Sequence, residues 1–297
     1  MDKVLPRVTI VTPVYNQADY VEETIKSVLA QDYADVEYII INDGSSDGSA
    51  AILDKYKDVA TVVHQDNQGQ AEALNTGWKS ASGTIVGYLS SDDIIAPDLV
   101  SKLVNELLNS DSVVVYPSFN LISSTGNLIR QKQAPEWSYH SMAVDLVCHP
   151  GPGALFYKKL FDQLGGWKSE LRQVPDFEFW LRCIELGTFK RIDEPLASCR
   201  IHEESASFRP VSVNRCHEIV DTVESFYSNK TDSDDLSLAK ANASLMASRL
   251  GFRSGHFGYG LSMAIEAVRC RPLFIFSPLF YRRVLGGLWV MFLLKAK

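Results

Sequence analysis

Positive charge, paired cysteines and long apolar runs are all scarce in these 297 residues. Lys and Arg together number 29 against 36 Asp and Glu, a formal net charge of −7. A phosphate backbone needs a basic footprint, so nucleic acid is excluded as the main partner. The five cysteines, Cys148, Cys183, Cys199, Cys216 and Cys270, are odd in number and never stand as C-x-x-C. Their spacing argues against a disulfide framework or a zinc cluster and favours a reducing cytoplasm. Residues Met1 to Arg7 carry no apolar stretch of signal-peptide length. Low-complexity segments and repeats are missing as well. What is present, 46% hydrophobic and 22% charged residues, is a globular composition. At this length it fits one large α/β domain with a smaller appendage.

Strand and helix patterns alternate to about Tyr116, which predicts a parallel sheet covered by helices. Val8–Thr12 reads as a buried strand, followed by a capping box, Asp19-Tyr20-Val21-Glu22. The helix it opens runs through Ala30, with Val21, Ile25, Val28 and Leu29 on one face. Glu37–Ile41, Thr61–Val63 and Thr84–Leu89 are further strands, and Gln70–Ala81 and Pro97 to about Leu108 are helices. From Ser118 to Arg200 the pattern is irregular, with Gly151-Pro152-Gly153, the apolar run Ala154–Tyr157 and a helix over Asp176–Glu185. Beyond Val211 helical periodicity takes over, with segments at 221–226, 236–250 and 259–268 and a polar linker at 228–235. Asp43 and Asp92 both fall just past strand C-termini, where open α/β sheets bind ligands.

Asp92-Asp93 is the chemically suggestive pair. Adjacent carboxylates on a short loop suit Mg²⁺ or Mn²⁺, whose remaining sites are filled by phosphate and water. An Asp-Asp dipeptide is also a common turn, so by itself it decides little.

Its surroundings are more specific. Thr9–Asn16, Ser27–Gln31, Ile40–Gly48, Asn67–Gly77, Tyr88–Asp93 and Pro175–Arg182 occur in the order of family 2 glycosyltransferases, and over residues 6 to 205 the chain resembles that family. The resemblance implies a GT-A fold, an α/β and mostly parallel, Rossmann-like sheet flanked by helices, followed here by a C-terminal helical extension. It implies a catalytic domain over 1–210, with a nucleotide-sugar half at about 1–117, an acceptor half at about 118–210, and a helical region over 211–297. Pro13 and Tyr15, on the loop after the first strand, would hold the nucleoside, with the tyrosine ring offering a stacking face. Asp43 would accept from a pyrimidine N–H, and Asn67, Gln70, Ser91 and Asp92 complete the nucleotide set. Asp93, Asp92 and His202 would hold Mn²⁺ or Mg²⁺, and Arg200 would offset phosphate charge. Asp176 would act as general base for a single inverting displacement, and helix capping is its alternative role. Glu178, two residues on, points elsewhere and belongs to a supporting or surface position. Two departures stand out. Ser90 occupies the place of the usual first aspartate of the metal motif, and Pro175 replaces an acidic neighbour of the base.

The function implied is transfer of a sugar from a UDP-sugar to a glycan or lipid-linked saccharide in surface polysaccharide or glycoconjugate synthesis. Alternatives are a dTDP-sugar donor or a non-catalytic sugar-nucleotide-binding protein. A nucleotidyltransferase would show a Gly-rich basic phosphate loop, which Thr12–Asn16 is not. From Arg253 onward seven Arg and Lys residues face one acid, Glu266. An apolar, basic, Trp-containing end suits an interfacial anchor on anionic lipid at the cytoplasmic face. Packing on the catalytic domain or in an oligomer is the other use of the same helices.

Overall fold

The computed structural model describes residues 5–202, 209–230 and 233–295. In chain order the first elements are β1 (Val8–Val14), α1 (Val21–Leu29), β2 (Val36–Asp43), α2 (Ser49–Leu53), β3 (Thr61–Gln65) and α3 (Gln70–Ser80). Next come β4 (Ile85–Tyr88), β5 (Ile94–Ile95), α4 (Leu99–Asn109), β6 (Ser112–Ser123), β7 (Leu128–Lys132) and α5 (Tyr139–Ala143). Then follow β8 (Leu155–Tyr157), α6 (Lys158–Leu164), α7 (Pro175–Cys183) and β9 (Thr188–Ile201). The remaining helices are α8 (Val213–Tyr227), α9 (Ser233–Arg253), α10 (Phe257–Cys270) and α11 (Pro278–Lys295). Two compact units emerge: residues 1–137 with 148–202, and residues 138–147 with 203–297.

The first unit is an α/β layer structure on one sheet, ordered β3-β2-β1-β4-β8-β6-β9-β5 with β7 beside β6. From β3 to β4 every pairing is parallel. The β4–β8 and β8–β6 pairs are antiparallel and β6–β9 is parallel again. Every residue of β1 is buried, as a strand covered on both faces requires. Alternation then sorts its side chains. Val8, Ile10 and Val14 join the core under α1 and α4, whereas Val11 meets α3, where a Cβ on Gly77 would lie 2.3 Å from Val11 Cγ1. Behind α3 is an aromatic cluster centred on fully buried Trp78, with Phe156, Phe161, Trp167 and Phe179 around it.

Several sequence expectations change. The region from 118 to 200 is not irregular: β6 and β9 are the longest strands, 12 and 14 residues, and their register shifts at Pro117–Phe119 hid them from a simple alternation count. The capping box at Asp19 does not form. Tyr20 is the N-cap, and the Gln17 carbonyl accepts from the N–H of Tyr20 and Val21 instead. Glu22 is drawn away to Lys26 and the Tyr56 hydroxyl. On the same helix Leu29 is exposed, leaving Val21, Thr24, Ile25 and Val28 as the buried face.

In the second unit α9 offers small buried residues, among them Ala239, Ala243, Ser244, Ala247 and Ser248. Asn242 Nδ2 donates to Val144 O at 3.0 Å and Tyr227 Oη to Ala143 O at 3.2 Å, tying the 138–147 segment to these helices. Among the described residues no helix is long and apolar enough to cross a membrane.

Candidate active site

The C-terminal ends of β1, β2 and β4 carry several of the residues singled out from sequence; Asp176 lies on α7, and Arg200 and His202 at the end of β9. Pro13 is a correction: β1 continues through Val14, so Pro13 is a buried strand residue and not part of the loop. It lies past the last β1–β4 rung, Val11–Tyr88, so its missing N–H breaks no bond on that side. Tyr15 is the first residue beyond the strand and is 51% exposed, its ring available for stacking. Asn16, at φ 52°, folds the loop back so that its side-chain oxygen accepts from Ser46 N at 2.8 Å.

Asp43 ends β2 and is buried. Its Oδ1 accepts from Gln65 Nε2 at 2.8 Å and Gln68 N at 2.9 Å, and its Oδ2 from Gly69 N at 2.7 Å. The carboxylate therefore moulds the loop that opens α3. That loop crosses close over Gly44, whose Cβ would stand 2.7 Å from Asn67 N, a contact only glycine at φ +72° permits. Asn67 and Gln70, the first residue of α3, are exposed here. Over Gly69 lies Arg172, whose Nη1 donates to Gln68 O at 3.1 Å.

The acidic pair divides. Ser91 is buried, and a turn closed by Asp93 N donating to Ser90 O at 3.1 Å sends the two carboxylates apart. Asp93 points inward, where Oδ1 accepts from Arg200 N at 2.9 Å and its carbonyl accepts from Thr24 Oγ1 at 2.7 Å. Burial, then the neighbouring Asp92 charge, hold its carboxyl well above the ordinary carboxylate range. Asp92 points outward, with Oδ2 3.0 Å from His202 Nε2, although 110 residues separate the two in sequence. The His202 ring leans on Tyr20, ring centroids 4.7 Å apart.

Arg200 is 3% exposed. Its Nε donates to Asp92 O at 2.9 Å, Nη1 to the carbonyls of Ser123 and Ser124, and Nη2 to Glu23 Oε2 at 2.5 Å. In this conformation the guanidinium clamps the acidic turn between β6 and α1. Glu203, Glu204 and Ser205, which follow His202, lie outside the described residues.

Asp176 is half-buried in the first turn of α7. It does not cap the helix: Pro175 takes the first helical position and Val174 is the N-cap. Burial raises the Asp176 carboxyl, against the pull of backbone N–H groups at Asp176 and Phe177. The Tyr88 phenol is held well above its usual range by burial, then by Asp176, Cys148 and Asp93, so both carboxylates act on one hydroxyl. Trp167 packs edge-on against Tyr88 at 5.1 Å. Glu178 takes the supporting and not the surface position: it is buried, bridging Arg182 Nη2 at 2.7 Å and Lys168 Nζ at 2.9 Å.

Tyr20, Tyr88 and Trp167 are neighbours of these residues that the sequence did not single out. Tyr20 was absorbed into the supposed capping box, and the others lie in strands and loops whose register sequence does not reveal. Among the described residues no group of three or more His, Cys, Asp or Glu converges as a metal site. Asp92 and His202 nevertheless fit a shared divalent ion. Their 3.0 Å separation is that of a direct hydrogen bond, and carboxylate and imidazole are both donor types such an ion accepts.

The glycosyl transferase family 2 model matches residues 9–165. An uncharacterized glycosyltransferase of Rickettsia prowazekii is 29% identical over 238 residues, 77% of this chain and 74% of that protein. A hyaluronan synthase of Pasteurella multocida is 26% identical over 78% of this chain but only 25% of its own length. A chondroitin synthase of Escherichia coli is 28% identical over 72% of this chain and 32% of its own length. The chain thus spans about a quarter to a third of those two polysaccharide synthases. In fold it is similar to residues 1–349 of S. aureus TarS, crystallised with UDP-GlcNAc, at TM-score 0.72 and 16% identity over 98% of this chain and 92% of that one. A mannosyltransferase of Pyrobaculum calidifontis, in complex with GDP-Man and Mn²⁺, gives TM-score 0.58 and 19% identity over 97% of this chain and 86% of that one. With the family match covering more than half its length, this chain belongs to glycosyl transferase family 2.

Proposed function

We propose that the protein is an inverting, metal-dependent hexosyl- or N-acetylhexosaminyltransferase. It moves a sugar from a UDP-linked donor to a hydroxyl of a glycan or lipid-linked saccharide at the cytoplasmic face of a membrane. The observation that carries this reading is the meeting of Asp92 and His202 at 3.0 Å beside the ends of the parallel strands. TarS, bound to UDP-GlcNAc, supports the donor class, and the GDP-Man and Mn²⁺ complex of the mannosyltransferase supports an ion. The hyaluronan and chondroitin synthases support a polysaccharide setting.

Tyr15 stacks on the base, and the loop moulded by Asp43, with Asn67 and Gln70, reads its edge. Asp92 and His202 hold Mn²⁺ or Mg²⁺, with Asp93 and Arg200 fixing the turn beneath them. When bound, the ion supplies charge stabilisation for the departing diphosphate. Asp176 accepts the proton of the acceptor hydroxyl as that oxygen bonds to the anomeric carbon from the opposite face. Its raised affinity for a proton suits that task near neutral pH.

A thermal-shift panel of UDP-, dTDP- and GDP-sugars with and without Mn²⁺ tests the donor. UDP-sugars should raise the midpoint most, and only with the metal. A larger shift from GDP-sugars, or shifts indifferent to metal, would overturn the assignment. Asp176→Asn should abolish transfer while keeping the nucleotide shift. Unchanged turnover would remove Asp176 from the mechanism.

A further inference from the structure

Helix α10 is packed with its small residues inward and its large apolar residues outward. Gly260, Ala264 and Ala267 are buried, and Ser248 Oγ of α9 donates to Gly260 O at 2.7 Å. Phe257, Leu261 and Ile265, four residues apart and so on one stripe, are all exposed. A 3-10 turn over Pro272–Phe276 then presents Leu273 at 80% and Phe276 at 79% exposure, the most exposed large apolar residues among those described. Tyr281 and Leu285 continue the pattern on α11.

Charge accompanies this surface. Arg269, Arg271 and Arg282 lie within six residues of the turn, and two acids stand near them: Glu266, which pairs with Arg269 at 3.3 Å, and Asp234 of α9. Arg271 stands 3.9 Å from Asp234. A chain of net charge −7 has thus placed a positive, apolar surface at one end of its sequence. A two-fold contact of this surface with a second copy would lay one basic patch on an identical basic patch. An anionic bilayer meets both features, taking the apolar side chains below the headgroups and the arginines among them.

We propose that the surface made by α10, the Pro272–Phe276 turn and the start of α11 seats the protein on an anionic lipid bilayer. Leu273 and Phe276 enter the acyl boundary and Arg269, Arg271 and Arg282 contact phosphate headgroups. This surface is independent of which sugar nucleotide the catalytic unit takes.

The test is sedimentation of the full chain with vesicles of phosphatidylcholine alone or mixed equally with phosphatidylglycerol. Binding should require phosphatidylglycerol and weaken with salt. Arg269→Gln and Arg282→Gln should each weaken it about five-fold. The Leu273→Ser/Phe276→Ser pair should abolish it while the thermal midpoint and the nucleotide-induced shift stay unchanged. No binding to the mixed vesicles, or equal binding by the Leu273→Ser/Phe276→Ser protein, would overturn the proposal. So would light scattering that shows a dimer dissolved by that pair, which would make the surface a self-interface.

Discussion

Asn75 offers the sharpest test of how the first unit is held together. It is 5% exposed on α3, and its amide makes a two-way lock on the backbone of Trp167. Nδ2 donates to Trp167 O at 2.7 Å and Oδ1 accepts from Trp167 N at 2.9 Å, across 92 residues of sequence. Gly166 makes room for the lock, since a Cβ there would stand 2.3 Å from Asn75 Oδ1. Asn75→Ala strands a buried carbonyl and a buried N–H, each costing about 1–3 kcal/mol, so roughly 2–6 kcal/mol in all. That is a large share of the roughly 5–15 kcal/mol that holds a domain folded. Asn75→Asp keeps the acceptor but turns a donor into an oxygen facing the Trp167 carbonyl. Protonation restores the donor, so the folded-state pKa of that new carboxyl is raised. Its stability is therefore best at low pH and falls as pH rises through that pKa. Urea unfolding at several pH values measures both variants, with an unchanged m-value certifying the comparison. Because Trp167 packs on Tyr88, which feels Asp176, any surviving activity should lose kcat more than donor affinity. An Asn75→Ala protein within about 0.5 kcal/mol of the parent would refute this account of the lock.

Glu178→Gln should leave the Arg182 and Lys168 cations without their shared carboxylate; about 2–4 kcal/mol is expected, below the fully buried case because Lys168 is partly solvated. An unchanged melting midpoint would show that the bridge is dispensable. For Asp176, only the deprotonated form can accept a proton, and its pKa is raised by burial, so the acid limb of kcat/KM should lie above the ordinary carboxylate range of about 4. Folding has the matching sign: the folded state binds that proton more tightly, so parent stability relative to Asp176→Asn falls as pH rises above about 4. A limb at or below pH 4 would contradict the burial. Asp92→Asn should lose Mn²⁺-dependent nucleotide binding, whereas Asp93→Asn, still able to accept from Arg200 N, should keep it; equal losses would show that the two carboxylates share one role.

The parallel half of the sheet was legible because each strand there is short, apolar and followed by a turn-forming polar cluster, as at Asn42-Asp43-Gly44-Ser45. The family order of motifs then named candidate site residues without any geometry. What sequence could not supply was direction. Asp92 and Asp93 look equivalent on paper, and a single turn sends one to His202 and the other to the interior. β6 and β9 stayed hidden because a strand with shifted register and an internal proline shows no clean period of two. The capping box failed because competing backbone donors reached the Gln17 carbonyl first and Glu22 found Lys26.

The same geometry gives Ser90 a physical meaning. A third carboxylate beside Asp92 and buried Asp93 would add like charge where burial, then the Asp92 charge, already raise the Asp93 carboxyl. With serine there, the turn needs only the Ser90 carbonyl, which accepts from Asp93 N. Arg200 then braces the turn from beneath, donating to the Asp92 carbonyl while its charge pairs with Glu23, and the Asp92 carboxylate is left to His202. An ion held by one carboxylate and one imidazole keeps most of its charge for the diphosphate. Donor and metal should therefore bind with strong mutual dependence.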